Sequence, residues 1–122
     1  MLLVCELEHA EAGAGFVTLL EQPSMRARWG LSFGASNVGE PLRDGRHLYV
    51  TAGGYVAQLD LDKGESVWEQ GGLRGRAGEG TFDTFALPEV SGDTVTFKER
   101  QSGSPAHRVV VNKKTGKIVG VE

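Results

Sequence analysis

A chain of 122 residues with 39% hydrophobic side chains is about one ordinary domain, long enough to bury a single core. Its formal charge of -3 gives no electrostatic footprint for nucleic acid, and that class of partner is excluded. Glycine, at 18 residues, is roughly twice the ~7% of average usage and marks a chain rich in turns.

The N-terminal apolar run Met1-Leu2-Leu3-Val4-Cys5 breaks at Glu6, with no basic leader before it. It is far short of a signal peptide or a spanning helix, so a cytoplasmic protein without membrane association is expected. Cys5 is the only cysteine, which rules out an intrachain disulfide. No cationic neighbour in sequence lowers its pKa, and it reads as an inert, buried thiol in the first strand. Short runs rich in Val, Leu, Thr and Phe predict strands over 2–7, 16–21 and 26–33, with no room for a further innermost strand.

The next stretch predicts four strands, over 40–42, 47–51, 55–60 and 65–70. Asp44-Gly45, Gly53-Gly54 and Lys63-Gly64 supply the turns, because glycine accepts the positive φ that hairpins require. A glycine-rich segment over 70–85 follows. The last four strands are predicted over 87–90, 94–99, 108–112 and 117–122, with turns at Gly92-Asp93 and Thr115-Gly116 and a Ser-Gly-Ser-Pro loop at 102–105.

Aligned on Asp60 and on Trp68 eight positions later, the chain repeats. Glu21 and Trp29 stand at the same offset before, and Asn112 and Gly120 after, at spacings of 39 and 52 residues. The first spacing matches the ~40 residues of a four-stranded propeller blade. The glycine-rich segment absorbs the excess in the second. This defines one all-β domain of three units, about 1–33, 38–70 and 85–122, with an insertion at 70–85. Trp29 and Trp68 are then equivalent plates packed between neighbouring sheets. Ala57 is small where backbones approach, Asp60 bonds its own turn as Asx residues do, and Gly64 and Gly116 close the turns.

Ala57-Gln58-Leu59-Asp60-Leu61-Asp62-Lys63-Gly64-Glu65-Ser66-Val67-Trp68 resembles the blade signature of the PQQ-type, quinoprotein-like β-propeller repeat. The resemblance is strongest over 40–70, partial over 87–122 and weakest over 1–33. It implies about three blade-like antiparallel sheet units, forming an incomplete propeller or one closed by oligomerisation. Three units would leave two blade faces uncovered, so a homo-oligomer is expected, a dimer of about six blades above all. Residues 1–24 carry Glu6, Glu8, Glu11 and Glu21 and no Lys or Arg, while 91–122 is rich in Lys and Arg, which favours head-to-tail contact. The resemblance also raises a quinone cofactor. Dehydrogenases with this repeat carry metal-binding carboxylate and amide side chains and adjacent cysteines. With one Cys and no complete ring here, no cofactor is expected.

Other chemistry finds little support. Gly71 to Gly80 lacks the Gly-Lys-Ser/Thr of a phosphate loop and joins strands. Asp60-Leu61-Asp62 opens like a calcium loop, yet Gly64 and Glu65 occupy the fifth and sixth places where an oxygen ligand and a glycine belong. His9, His47 and His107 lack metal-ligand spacing, and no Gly-x-Ser-x-Gly elbow occurs. The composition therefore points to a non-catalytic protein-interaction module that presents loops at 38–40, 70–85 and 100–107. Arg74, Arg76, Glu79 and Asp83 are the candidate partner-binding residues, and a bacterial immunity protein that neutralises a toxin is one specific form. The alternative is a small-molecule sensor or enzyme with its pocket at the centre of an oligomeric ring.

Overall fold

The structure, a computed structural model, describes residues 2–9, 14–21, 24, 26–33, 38–73, 82–100 and 107–121. Among these the regular elements are eleven β-strands: β1 (Leu2–His9), β2 (Ala14–Glu21), β3 (Arg26–Phe33), β4 (Leu42–Asp44), β5 (His47–Ala52), β6 (Tyr55–Asp60), β7 (Ser66–Gln70), β8 (Glu89–Ser91), β9 (Thr94–Lys98), β10 (Arg108–Asn112) and β11 (Ile118–Val121). They form three antiparallel meanders, in the orders β1-β2-β3, β4-β5-β6-β7 and β8-β9-β10-β11. The chain is all-β and folds as an incomplete propeller.

The two inner strands start slightly later than the sequence predicts. Each follows a proline, Pro41 before β4 and Pro88 before β8, and proline has no N–H to give a ladder. Pairing therefore begins at Leu42 opposite Tyr49 and at Glu89 opposite Thr96. Gly45 and Gly92 then close the hairpins at φ of 62° and 57°.

The repeat is visible in the register itself. The outermost strand pair of each sheet shifts register at the same place, between Leu19 and Leu20, Gln58 and Leu59, and Val110 and Val111. Those positions immediately precede Glu21, Asp60 and Asn112. One extra residue on the outer strand bends it and increases its twist. The first sheet shares this device with the others, with three strands among the described residues.

Strand alternation gives the second sheet two buried faces. Leu48, Val50, Ala52, Ala57 and Leu59 lie on one, packed with Val38 and Leu61 against Trp29 and Tyr55. Tyr49, Val56 and Trp68 lie on the other, packed against Val95, Phe97, Val109 and Val111 of the third sheet. Phe97 is fully buried and meets Tyr49 and Trp68 edge-on, with centroids 6.3 and 6.4 Å away. Burying one such side chain is worth about 1.5–3 kcal/mol.

The outward face of the third sheet departs from the apolar face that three open blades imply. Alternation places Thr96 and Val110, both half-buried, with Lys98 and Arg108, both exposed, on the side away from the core. Lys98 and Arg108 are paired across β9 and β10.

Candidate functional site

Each of the last two sheets ends in the same five-residue turn between its third and fourth strands. Asp60 Oδ1 accepts the backbone N–H groups of Asp62 and Lys63 at 2.8 and 3.1 Å, and Asn112 Oδ1 accepts those of Lys114 and Thr115 at 2.9 and 3.1 Å. Gly64 N–H donates to the Asp60 carbonyl and Gly116 N–H to the Asn112 carbonyl, each at 2.8 Å. These bonds to the charged form hold the Asp60 carboxyl below its ordinary range. The Lys63 N–H contributes most, and the nearby Lys63 and Arg46 charges add to it.

A tryptophan from the preceding sheet sits on each turn. Trp29 Nε1 donates to the Leu61 carbonyl at 2.6 Å, and Trp68 Nε1 donates to the Lys113 carbonyl at 2.9 Å. The rings lie flat over glycine: a Cβ on Gly64 would come within 2.5 Å of Trp29 Cγ, and one on Gly116 within 2.5 Å of Trp68 Cγ. Both glycines also have positive φ, 70° and 75°, which a side chain would strain. Trp29 on the Gly64 turn and Trp68 on the Gly116 turn thus make the same contacts at the two junctions. Ala57 is fully buried in the cluster facing the first sheet.

Between the second and third sheets a groove of about 690 Å³ opens along the rim that carries these turns. Its floor is polar and already engaged. Gln58 Nε2 donates to Tyr49 Oη at 2.9 Å and to the Lys113 carbonyl at 3.0 Å, and Lys113 Nζ forms an ion pair with Asp44 at 2.9 Å. The Asp44 partner raises the Lys113 pKa, and burial raises that of Tyr49. His47, Asp93 and Lys114 line the walls beside Val67, which is 49% exposed. No local pattern points to the Asp44–Lys113 pair, since it joins two turns from different units.

The described part of the insertion is anchored on the second sheet. Leu73 N–H donates to the Gly54 carbonyl at 3.1 Å, and Gly54 N–H donates to the Phe82 carbonyl at 2.7 Å. Phe82 is fully buried at a positive φ of 49°, and its N–H donates to the buried Glu99 carboxylate at 2.7 Å. Asp83 follows it and is exposed. Arg74, Arg76 and Glu79 lie outside the described residues.

Of the histidines, His9 lies in β1, His47 in β5 and His107 just before β10. Among the described residues no group of three or more His, Cys, Asp or Glu could hold a metal, and no helix is long and apolar enough to cross a membrane. The groove's amide and carboxylate, Gln58 and Asp44, bind Tyr49 and Lys113.

No family model matches the chain, and no curated protein matches it. Solved structures do share its fold. A europium-containing methanol dehydrogenase superposes with a TM-score of 0.71 at 17% identity, covering 98% of this chain and 22% of that one. The dihydro-heme d1 dehydrogenase NirN gives 0.68 at 22% identity, covering 98% and 23%. The quinohemoprotein alcohol dehydrogenase of Comamonas testosteroni gives 0.65 at 15% identity, covering 91% and 19%. The chain therefore spans less than a quarter of each of these proteins, and the likeness establishes a propeller-blade fold.

Proposed function

We propose that the chain is a non-catalytic protein-interaction module in which stacked propeller blades form a rigid base for a display loop. The observation that carries this reading is the anchoring of the insertion. Leu73 and Phe82 both bond Gly54, and Glu99 fixes Phe82 from the third sheet, so the two residues that flank 74–81 are held at one place on the scaffold. Loops held this way on a rigid base are common carriers of recognition. Arg74 and Arg76 suit carboxylates on a partner, since guanidinium groups bind them in bidentate fashion. Glu79 and Asp83 would set the orientation. The polar groups of the groove, meanwhile, serve to join blades. A cytoplasmic immunity protein blocking a toxin is one form of this module.

The test is affinity capture with the full chain, run beside an Arg74→Ala/Arg76→Ala variant. Capture of one specific protein by the wild type and its loss in the variant support the reading. Equal capture by both, or none, overturns it. The rim groove favours a second reading, a small-molecule site walled by His47, Asp93 and Lys114. Native mass spectrometry showing a retained ligand, released in a Lys114→Glu variant, would favour that one.

A further inference from the structure

We propose, resting on the small-molecule reading of the rim groove, that this groove binds a small zwitterion with an aliphatic body, a free amino acid or a short peptide. The observation that carries it is a pair of opposite charges left open in the third sheet where the second sheet closes its own. Backbone bonds fix the equivalence. Leu61 N–H donates to the Arg46 carbonyl at 3.0 Å in the second sheet, and Lys113 N–H donates to the Asp93 carbonyl at 2.8 Å in the third. One residue on, Asp62 and Lys114 each donate an N–H to the cap of their turn, Asp60 or Asn112. Arg46 is therefore level with Asp93, and Asp62 with Lys114.

In the second sheet those two places close on each other, with Arg46 and Asp62 paired at 2.7 Å. In the third sheet the signs are exchanged and the pair stays apart. Asp93 and Lys114 are both exposed, and neither side chain makes a hydrogen bond or ion pair among the described residues. The other charges of the lining are answered, Asp44 by Lys113 and Arg46 by Asp62. The groove thus presents one open carboxylate and one open ammonium.

That balance selects the ligand. A simple anion would satisfy Lys114 and meet Asp93 as a like charge, and a simple cation would do the reverse. A molecule carrying both groups answers both side chains. His47, half-buried on the opposite wall, adds a ring that makes no hydrogen bond among the described residues. Val67, 49% exposed, supplies apolar surface for an aliphatic body. A few placed polar groups beside apolar surface, in about 690 Å³, is the composition of small-ligand sites. The groove lies at the His47 end of β5, whereas the insertion is anchored beyond the other end, at Gly54, so the two are separate sites.

The test is isothermal titration calorimetry of the full chain with leucine, leucylleucine, leucinamide, which lacks the carboxylate, and isocaproate, which lacks the ammonium. Leucine or leucylleucine should bind, and the comparison of these two tells a free amino acid from a peptide. Each singly charged analogue should bind about fivefold more weakly, the loss of one exposed ion pair. Asp93→Asn should remove the disadvantage of isocaproate, and Lys114→Gln that of leucinamide. Both variants keep the turn, whose bonds at these positions use the Asp93 carbonyl and the Lys114 N–H. Isocaproate or leucinamide binding as tightly as the zwitterions would overturn the proposal and leave the small-molecule reading standing. No binding by any of these probes also overturns it, and if native mass spectrometry shows no retained ligand either, the small-molecule reading falls with it.

Discussion

A Cβ added to Gly116 would stand 2.5 Å from Cγ of Trp68, so the glycine and the indole form a single packed unit across two sheets. The Trp68 N–H reaches the Lys113 carbonyl three residues earlier in the same turn. Trp29 and Gly64 repeat the relationship one junction back. The blades are thus joined by a lock that demands glycine for two separate reasons, the positive φ and the close ring.

Those two reasons can be separated by substitution. Gly116→Ala meets both and should destabilise the fold by about 2–5 kcal/mol, the sum of a left-handed backbone penalty and overpacking. Gly45 also has positive φ, 62°, but nothing lies within 4 Å of its added Cβ. Gly45→Ala should therefore cost only about 1–2 kcal/mol. Urea unfolding of both variants checks this, and equal losses would show that the ring contact contributes little.

The turn acids predict a specific acid response. Asp60 titrates below its ordinary 3.8 because backbone N–H groups stabilise its carboxylate in the folded chain. With the folded pKa depressed, the contribution is present above the unfolded value and is lost as pH falls through the folded one. Asn112 makes the corresponding two bonds without a charge. Asp60→Asn should keep the turn and remove this part of the acid sensitivity. Its stability deficit relative to wild type should shrink as pH falls from about 5 to below 3.8 in urea titrations.

Glu99 is 2% exposed and accepts the Phe82 N–H at 2.7 Å. Truncation to Ala leaves that buried donor without its acceptor, so Glu99→Ala should cost about 1–3 kcal/mol. Glu99→Gln preserves an acceptor oxygen and should lose roughly 1 kcal/mol or less. Thermal unfolding of the two variants is the measurement. The Ala variant should also speed amide exchange at Phe82.

Replacing segment 74–81 with a short Gly-Ser-Gly bridge should leave the fold intact, since its flanks, Leu73 and Phe82, are both tied to Gly54. Loop length itself carries only a small entropic term. Circular dichroism and the urea midpoint should match wild type to within about 1 kcal/mol, while partner capture is lost. A large fall in stability would show that the insertion contributes to the core.

The strands and the repeat were legible because they are encoded locally. Alternation, turn glycines and the Asp60-to-Trp68 offset are properties of short segments, and the structure places Trp29 and Trp68 in equivalent settings as that offset requires. The inner strands were misplaced by two residues because the proline that delays pairing matters only once a partner strand is present. Gln58 is a clearer case. It reads as an ordinary polar position in a strand, yet it is buried and bridges Tyr49 to a carbonyl 55 residues away.

The amino-acid order alone thus determined an all-β chain of three blade-like units, since hydrophobic period, turn chemistry and repeat spacing depend on neighbours along the backbone. Only the tertiary structure decided which faces close on which: the indoles seated on the next unit's turn, Asp44 held to Lys113, Phe82 clasped by Glu99, and a cationic outer face on the last sheet. These depend on the stacking of sheets whose contacting residues lie tens of positions apart. No local pattern carries that information, because the free energy of such contacts exists only when both surfaces are in place.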